Sequence, residues 1–321
     1  MRFLLDAEQR AFTGSLDKML TAADTPAVVR AWARGEHAAG RALWSRIAGA
    51  GVFALAVHES RGGLGPLPVE LAAAFVELGR HAVPGPLVET VTAAVLLAGL
   101  PESGPAGRLV PALLSGEALA TVAWTAPYAL DGDAADIRLA VTGEGLRLAP
   151  GHGPVRPSLD PARRLTPLDP GGELLPTGPP PARALAYARL CTAAQALGVG
   201  EALLDRTVTY VRRRTQFGVP VGSFQALKHR LADAKMGLEF VRPLLFGAAL
   251  TLDPVDVAAA KVAAGEAAYA TARAALQAHG AIGYTAEYDL SLWLTKARVL
   301  RAAWGDPDSC RTEVLRGAGR R

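Results

Sequence analysis

Two stretches of this 321-residue chain stand out: Arg212–Asp233, reading RRRTQFGVPVGSFQALKHRLAD, whose side chains can grip an anion, and Gln277–Leu290, reading QAHGAIGYTAEYDL. In the first, Arg214 ends a predicted helix and a turn follows through Gln216, Phe217 and Gly218. A guanidinium there offers a planar fork of donors that matches a pyrophosphate. Gln216 and the turn's N–H groups add neutral donors. Phe217 supplies an apolar wall for a ring or a ribose, and Gly218 lets the backbone turn sharply. Arg212 and Arg213 read as solvated side chains, because arginine is exposed by default. In the second stretch, Gln277 and Gly280 stand one helical turn apart at a helix end, with Gly283 just beyond. Taken alone, a glycine there is an ordinary helix cap.

Bulk properties narrow the remaining chemistry. The net charge is +4, and apart from Arg212–Arg214 the basic residues are spread out. Nucleic-acid binding asks for a basic stripe with interleaved aromatics, and only 6% of the residues are aromatic. Anionic small molecules suit the excess better. The two cysteines, Cys191 and Cys310, form no CxxC pair and read as small buried thiols. The six histidines show no metal-ligand spacing. Half of the residues are apolar, yet the longest apolar runs are short or broken by Lys261 and Glu266, so no membrane span is expected. The N-terminus lacks the order of a signal peptide, which implies a soluble cytoplasmic protein.

These residues need rigid elements to hold them. The first hundred residues follow a helical period. Asp6 and Gln9 form a capping box ahead of the apolar face of Phe12, Leu16, Met19 and Leu20. Asp24-Thr25-Pro26 reads as a helix start, with Asp24 as the cap. Helices are predicted over Ala38–Ala50, Pro68–Leu78 and Leu87–Leu100. The period then shortens: Ala118–Trp124 and Ile137–Thr142 read as strands, and Gly143-Glu144-Gly145 as a hairpin turn into Leu146–Leu148. Pro150–Pro181 is rich in Pro and Gly and reads as a long irregular connection. Long helices follow over Ala182–Arg213, Ser223–Thr251, Pro254–Gly280 and Ala286–Ala303.

With this helix–strand–helix order, the two segments resemble the acyl-CoA dehydrogenase family. The likeness runs over nearly the whole chain, through the GGLG turn at Gly62–Gly65, VELGRHAVPGPLVET at Val76–Thr90 and AWTAP at Ala123–Pro127. It implies a mainly α fold in three parts: an N-terminal helical domain (1–117), a truncated β middle segment with the Pro/Gly-rich connection (118–181) and a C-terminal four-helix bundle (182–321). It also implies FAD as cofactor, held across a subunit boundary by Arg214, Gln216, Phe217, Gln277, Gly280 and Gly283. Trp124 and Thr125 match the strand that shields the flavin. The family usually carries two adjacent glycines where this chain has Gly280-Ala281, a departure that would loosen the contact.

The implied reaction is α,β-dehydrogenation of an acyl-CoA, in which a carboxylate removes the α-proton. The two positions where the family places that glutamate read Trp304, before Gly305, and Ala188, before Arg189. Neither side chain accepts a proton. Asp306, two residues beyond Trp304, is the alternative candidate for a displaced base, and no catalytic base is assigned. The middle segment is also too short to wall in a flavin of its own. The resemblance therefore extends to the degenerate chain of heterotetrameric dehydrogenases in actinobacterial acyl-CoA and steroid side-chain catabolism. It implies an α2β2 assembly with a complete acyl-CoA dehydrogenase homologue, and an electron-transfer flavoprotein as acceptor. A homotetramer with a displaced base, a different reaction on the same scaffold and a purely structural partner remain open alternatives.

Overall fold

The structure is a computed structural model that describes residues 4–124, 127–176, 178 and 181–319. Eleven α-helices and eight short strands lie among them. The helices are α1 (Ala7–Thr21), α2 (Thr25–Ala33), α3 (Ala38–Gly49), α4 (Pro68–Arg80), α5 (Leu87–Ala98), α6 (Pro105–Leu114), α7 (Ala182–Arg213), α8 (Gln225–Thr251), α9 (Pro254–His279), α10 (Leu290–Leu300) and α11 (Pro307–Ala318). The strands are β1 (Ala120–Trp124), β2 (Tyr128–Leu130), β3 (Ile137–Thr142), β4 (Gly145–Leu148), β5 (Leu165–Pro167), β6 (Glu173–Leu174), β7 (Thr215–Gln216) and β8 (Val219–Pro220). No described helix is long and apolar enough to cross a membrane.

The chain divides into two compact units. One contains α2, α3, α5, α6 and strands β1 to β6. Its main sheet runs β1-β3-β4-β6, with β1 and β3 parallel and the other pairs antiparallel. Thr90 on α5 ties helix to sheet. Its hydroxyl both donates to Ala120 O and accepts from Ala120 N–H, each at 3.0 Å. The expected hairpin is present, with Thr142 opposite Gly145. The Pro/Gly-rich connection is better anchored than its composition implies. Leu165–Pro167 pairs with β2 and Glu173–Leu174 with β4, both as edge strands, where proline's missing donor does no harm.

The other unit contains α1, most of α4 and α7, and everything after α7. The predicted capping box closes α1. Asp6 N–H donates to Gln9 Oε1 at 3.0 Å and Gln9 N–H to Asp6 Oδ1 at 2.9 Å. The expected cap at Asp24, in the sheet-containing unit, differs. Its φ of 47° turns the side chain away from a cap bond, and its carbonyl receives Ala27 and Val28 N–H instead. Helix α10 starts at Leu290, later than the sequence period suggests, because Glu287–Asp289 are taken up in a turn.

Helices α4 and α7 cross with their backbones in near contact. A Cβ added at Gly198 would lie 1.9 Å from Val76 O, and one added at Gly79 would lie 2.2 Å from Gln195 O. Beside the crossing, buried Glu201 takes Arg80 at 3.0 Å and Arg242 at 2.5 Å. Cys191 and Cys310 are buried free thiols, as expected.

Gly198→Ala should therefore lower stability by about 1–3 kcal/mol or more, through overpacking that cannot relax. Urea denaturation measures this, and a midpoint equal to wild type would refute the close crossing. A second expectation concerns pH. Asp131 is fully buried, and burial pushes its carboxyl from the ordinary 3.8 up to about 8. The folded state thus holds this proton more tightly than the unfolded state. The associated stability is intact below pH ~4 and is lost as pH rises through about 8. Asp131→Asn should remove that falling component when denaturation is followed as a function of pH.

Candidate functional site

The C-terminus of α7 sets the first half of the site. Arg214 continues the last helical turn, its N–H donating to Tyr210 O at 2.9 Å. The chain then reverses through a hairpin in which Gln216 pairs with Val219. Its loop is the two residues Phe217 and Gly218, with φ of 54° and 78°. Positive φ at both positions is the type I′ geometry that fits strand twist. A phenylalanine there is strained, since bulky L-residues rarely adopt it. The side chain is nevertheless 92% exposed, with an edge contact to Phe224 at 6.2 Å between ring centroids.

The C-terminus of α9 sets the second half. The helix ends at His279, and Gly280 takes φ 65° and ψ −139°, a combination reserved for glycine. A Cβ at Gly280 or Gly218 would meet open space, so both backbones are accessible to a ligand. The two halves are pinned by the stacked rings of Tyr210 and His279, 4.2 Å apart and 20° from parallel. His279 Nδ1 lies 2.8 Å from Ala275 O, which assigns the neutral Nδ1–H tautomer. Burial lowers the pKa of the imidazole, which keeps it uncharged.

Between the halves lies a groove of about 500 Å³. Arg214, Gln216, Gln277 and Gly280, four of the residues singled out by the sequence, line it together with Tyr210 and Arg230. Two guanidinium groups, two amides and exposed backbone form a donor set suited to a diphosphate and the polar groups of a nucleoside. Gly283 does not reach the groove. It is buried beneath it, where an added Cβ would lie 3.1 Å from Leu276 and 3.2 Å from His279. Tyr210 and Arg230 were missed in the sequence. The available signal for Tyr210 was its place one helical turn before Arg214. A neighbouring cavity of about 780 Å³ shares Tyr210 and Arg214 and adds Arg80, Arg206 and Arg213.

The positions expected to carry a base look different. Trp304 is half-buried with a φ of 59°, and its carbonyl accepts from Arg189 Nε at 3.1 Å. Ala188 is wholly buried. Asp306 caps α11: its Oδ1 accepts from Asp308 and Ser309 N–H, each at 3.0 Å. Hydrogen bonds from Ser309 hold its carboxyl below the usual range, which makes it a weak proton acceptor. In the sheet-containing unit, Trp124 ends β1 half-buried. Thr125 lies outside the described residues.

Comparison with known proteins decides the family. The N-terminal and C-terminal domain profiles of acyl-CoA dehydrogenases match residues 6–117 and 181–318. The acyl-CoA dehydrogenase IpdE2 of Mycobacterium tuberculosis is 35% identical over 274 residues, 85% of either chain. The chain belongs to the acyl-CoA dehydrogenase family. The IpdE2 of Mycolicibacterium smegmatis is 33% identical over 286 residues, covering 88% of this chain and 90% of that one. Among solved structures, the ChsE4–ChsE5 complex from Mycobacterium tuberculosis superposes with a TM-score of 0.85 at 25% identity over both full lengths. Butyryl-CoA dehydrogenase from Megasphaera elsdenii shares the fold, with a TM-score of 0.82 at 23% identity over both full lengths.

The exposed Phe217 lends itself to a test of where its value lies. Phe217→Gly relieves the positive φ but gives up the Phe224 contact and adds backbone freedom. These effects oppose each other, so stability should stay within about 1 kcal/mol of wild type. A larger loss in chemical denaturation would mean that the ring serves this chain's own fold.

Proposed function

We propose that this chain is the base-lacking subunit of an α2β2 acyl-CoA dehydrogenase, completing an FAD site whose proton acceptor belongs to a complete homologous partner. The observation that carries the reading is a contrast within one unit. The groove residues Arg214, Gln216, Gln277 and Gly280 converge, while Trp304 offers an indole where a carboxylate is needed. An exposed stripe on α8 supports a partner. Met236, Phe240 and Leu244 recur at four-residue spacing and are 54%, 67% and 48% exposed. Such a row is the apolar seam of a helix awaiting another surface.

In this reading Arg214, Arg230, Gln216 and Gln277 would hold FAD, which would supply the hydride acceptor for the β-hydrogen of the acyl-CoA, with an electron-transfer flavoprotein as the onward acceptor. Arg214 and Arg230 neutralise and orient the diphosphate, and Gln216 and Gln277 supply directional neutral donors. Phe217 covers an apolar part of the dinucleotide. Trp304 and Ala188 exclude water without moving a proton. Two relations support the assignment: the likeness to the acyl-CoA dehydrogenase IpdE2, and that to the ChsE4–ChsE5 complex, a solved assembly of two different chains.

Co-expression with a complete acyl-CoA dehydrogenase encoded beside it tests the proposal. The expected product holds one FAD per heterodimer and oxidises an acyl-CoA. Arg214→Ala in this chain removes a charge-assisted bond of about 1.5–3 kcal/mol and should weaken FAD retention roughly ten- to hundredfold. Unchanged retention would favour a purely structural subunit. An FAD-loaded preparation of this chain alone that turns over would overthrow the division of labour.

A further inference from the structure

Lys261 on α9 is 1% exposed, and no step described so far uses its ammonium group. Its Nζ donates to three main-chain oxygens of one turn: Leu300 O at 3.0 Å, Arg301 O at 3.1 Å and Gly305 O at 3.3 Å. That turn joins α10 to α11. Arg189 on α7 reaches it too, with Nε on Trp304 O at 3.1 Å and Nη1 on Glu313 of α11 at 2.5 Å. Two cations from two helices thus hold four carbonyls within six residues.

The turn needs such restraint. Trp304 and Gly305 take φ of 59° and 134° in succession. A non-glycine residue in that region persists only where its surroundings over-determine it. Space is also tight: a Cβ at Gly305 would lie 2.8 Å from Cys310 Sγ and 3.4 Å from Arg189 Nε. Leu300 and Arg301 offer carbonyls at the C-terminal end of α10, where a cation is favoured by the helix dipole.

We propose that Lys261 is a positioning residue that, with Arg189, clamps the Leu300–Gly305 turn and so fixes the Trp304 indole where the family carries its proton acceptor. The functional meaning rests on the reading of Trp304 given above, whereas the clamp rests on the hydrogen bonds alone. Protonation governs its grip. An ammonium has three N–H donors for three carbonyls, and the neutral amine has two, so one bond is lost on deprotonation. Burial lowers the Lys261 pKa from the ordinary 10.5 to about 8, with Cys310 and Asp306 opposing the shift and Arg189 and Arg301 adding to it. The clamp therefore loosens in an accessible alkaline range.

Fluorine NMR of the chain labelled with 5-fluorotryptophan tests this. There are five tryptophans, and Trp304→Phe assigns the relevant signal. The Trp304 signal should move between about pH 7 and about 9.5 as an amine near 8 titrates. Lys261→Met should shift the signal and abolish its titration while leaving the other four in place. Cys310→Ser should retain the titration, which separates the ammonium from the neighbouring thiol. A Trp304 signal insensitive to pH over this range overturns the proposal, as does a titration lost with Cys310→Ser. Should Lys261→Met fail to fold, the wild-type and Cys310→Ser titrations decide the matter. FAD retention is a separate readout, so the clamp and the cofactor assignment can fail independently.

Discussion

The candidate site depends on one contact, the stacking of Tyr210 on His279. The helices that carry Arg214 and Gln277 end far apart in sequence, and neither terminus alone forms a groove. The stack joins the last turn of α7 to the last turn of α9 and brings two sets of donors onto one surface. Burial favours the neutral imidazole, outweighing the opposing pull of the bond to Ala275 O, and that bond fixes the orientation of the ring. Stacked rings contribute about 0.5–1.5 kcal/mol beyond the area they bury. That is modest for stability, but it is directional, and direction is what a diphosphate cradle needs.

Backbone strain marks both ends of the functional argument. Phe217 and Trp304 are large aromatic residues at positive φ, each followed by a glycine that shares the unusual geometry. Their settings differ. Phe217 sits on a short exposed hairpin whose strained loop pushes the ring outward. Trp304 sits in a turn restrained by buried cations and by the close approach of Cys310. One residue is exposed to solvent, and the other is held within the chain. Under the proposed function, this contrast is the physical content of the division between binding and catalysis.

Charge is organised in the same way. Exposed arginines collect along the groove, whereas buried cations are matched to groups that satisfy them. Buried Lys261 faces carbonyls and buried Arg189 a carbonyl and Glu313, while the partly exposed Arg80 and Arg242 converge on buried Glu201. A buried charge is tolerated only when its donors are satisfied, so these side chains also lock the helices to which they attach.

Much of this was legible in the residues. The bounds of α7, the capping box of Asp6 and Gln9, the β3–β4 hairpin and the convergence of Arg214 with Gln277 all rest on local chemistry or on motifs whose spacing carries meaning. Sequence alone also determined that Trp304 and Ala188 offer no proton acceptor, because side-chain chemistry does not depend on the fold. What only the tertiary structure decided involves partners distant along the chain. The parallel pairing of β1 with β3, the near contact of Gly198 with Val76 and the Tyr210–His279 stack belong here. So do the left-handed turn at Asp24, the burial of Gly283 and the three carbonyls around Lys261. Local propensity is blind to these, since each is set by which surfaces meet after the helices pack, and a pattern along one segment carries no record of the other.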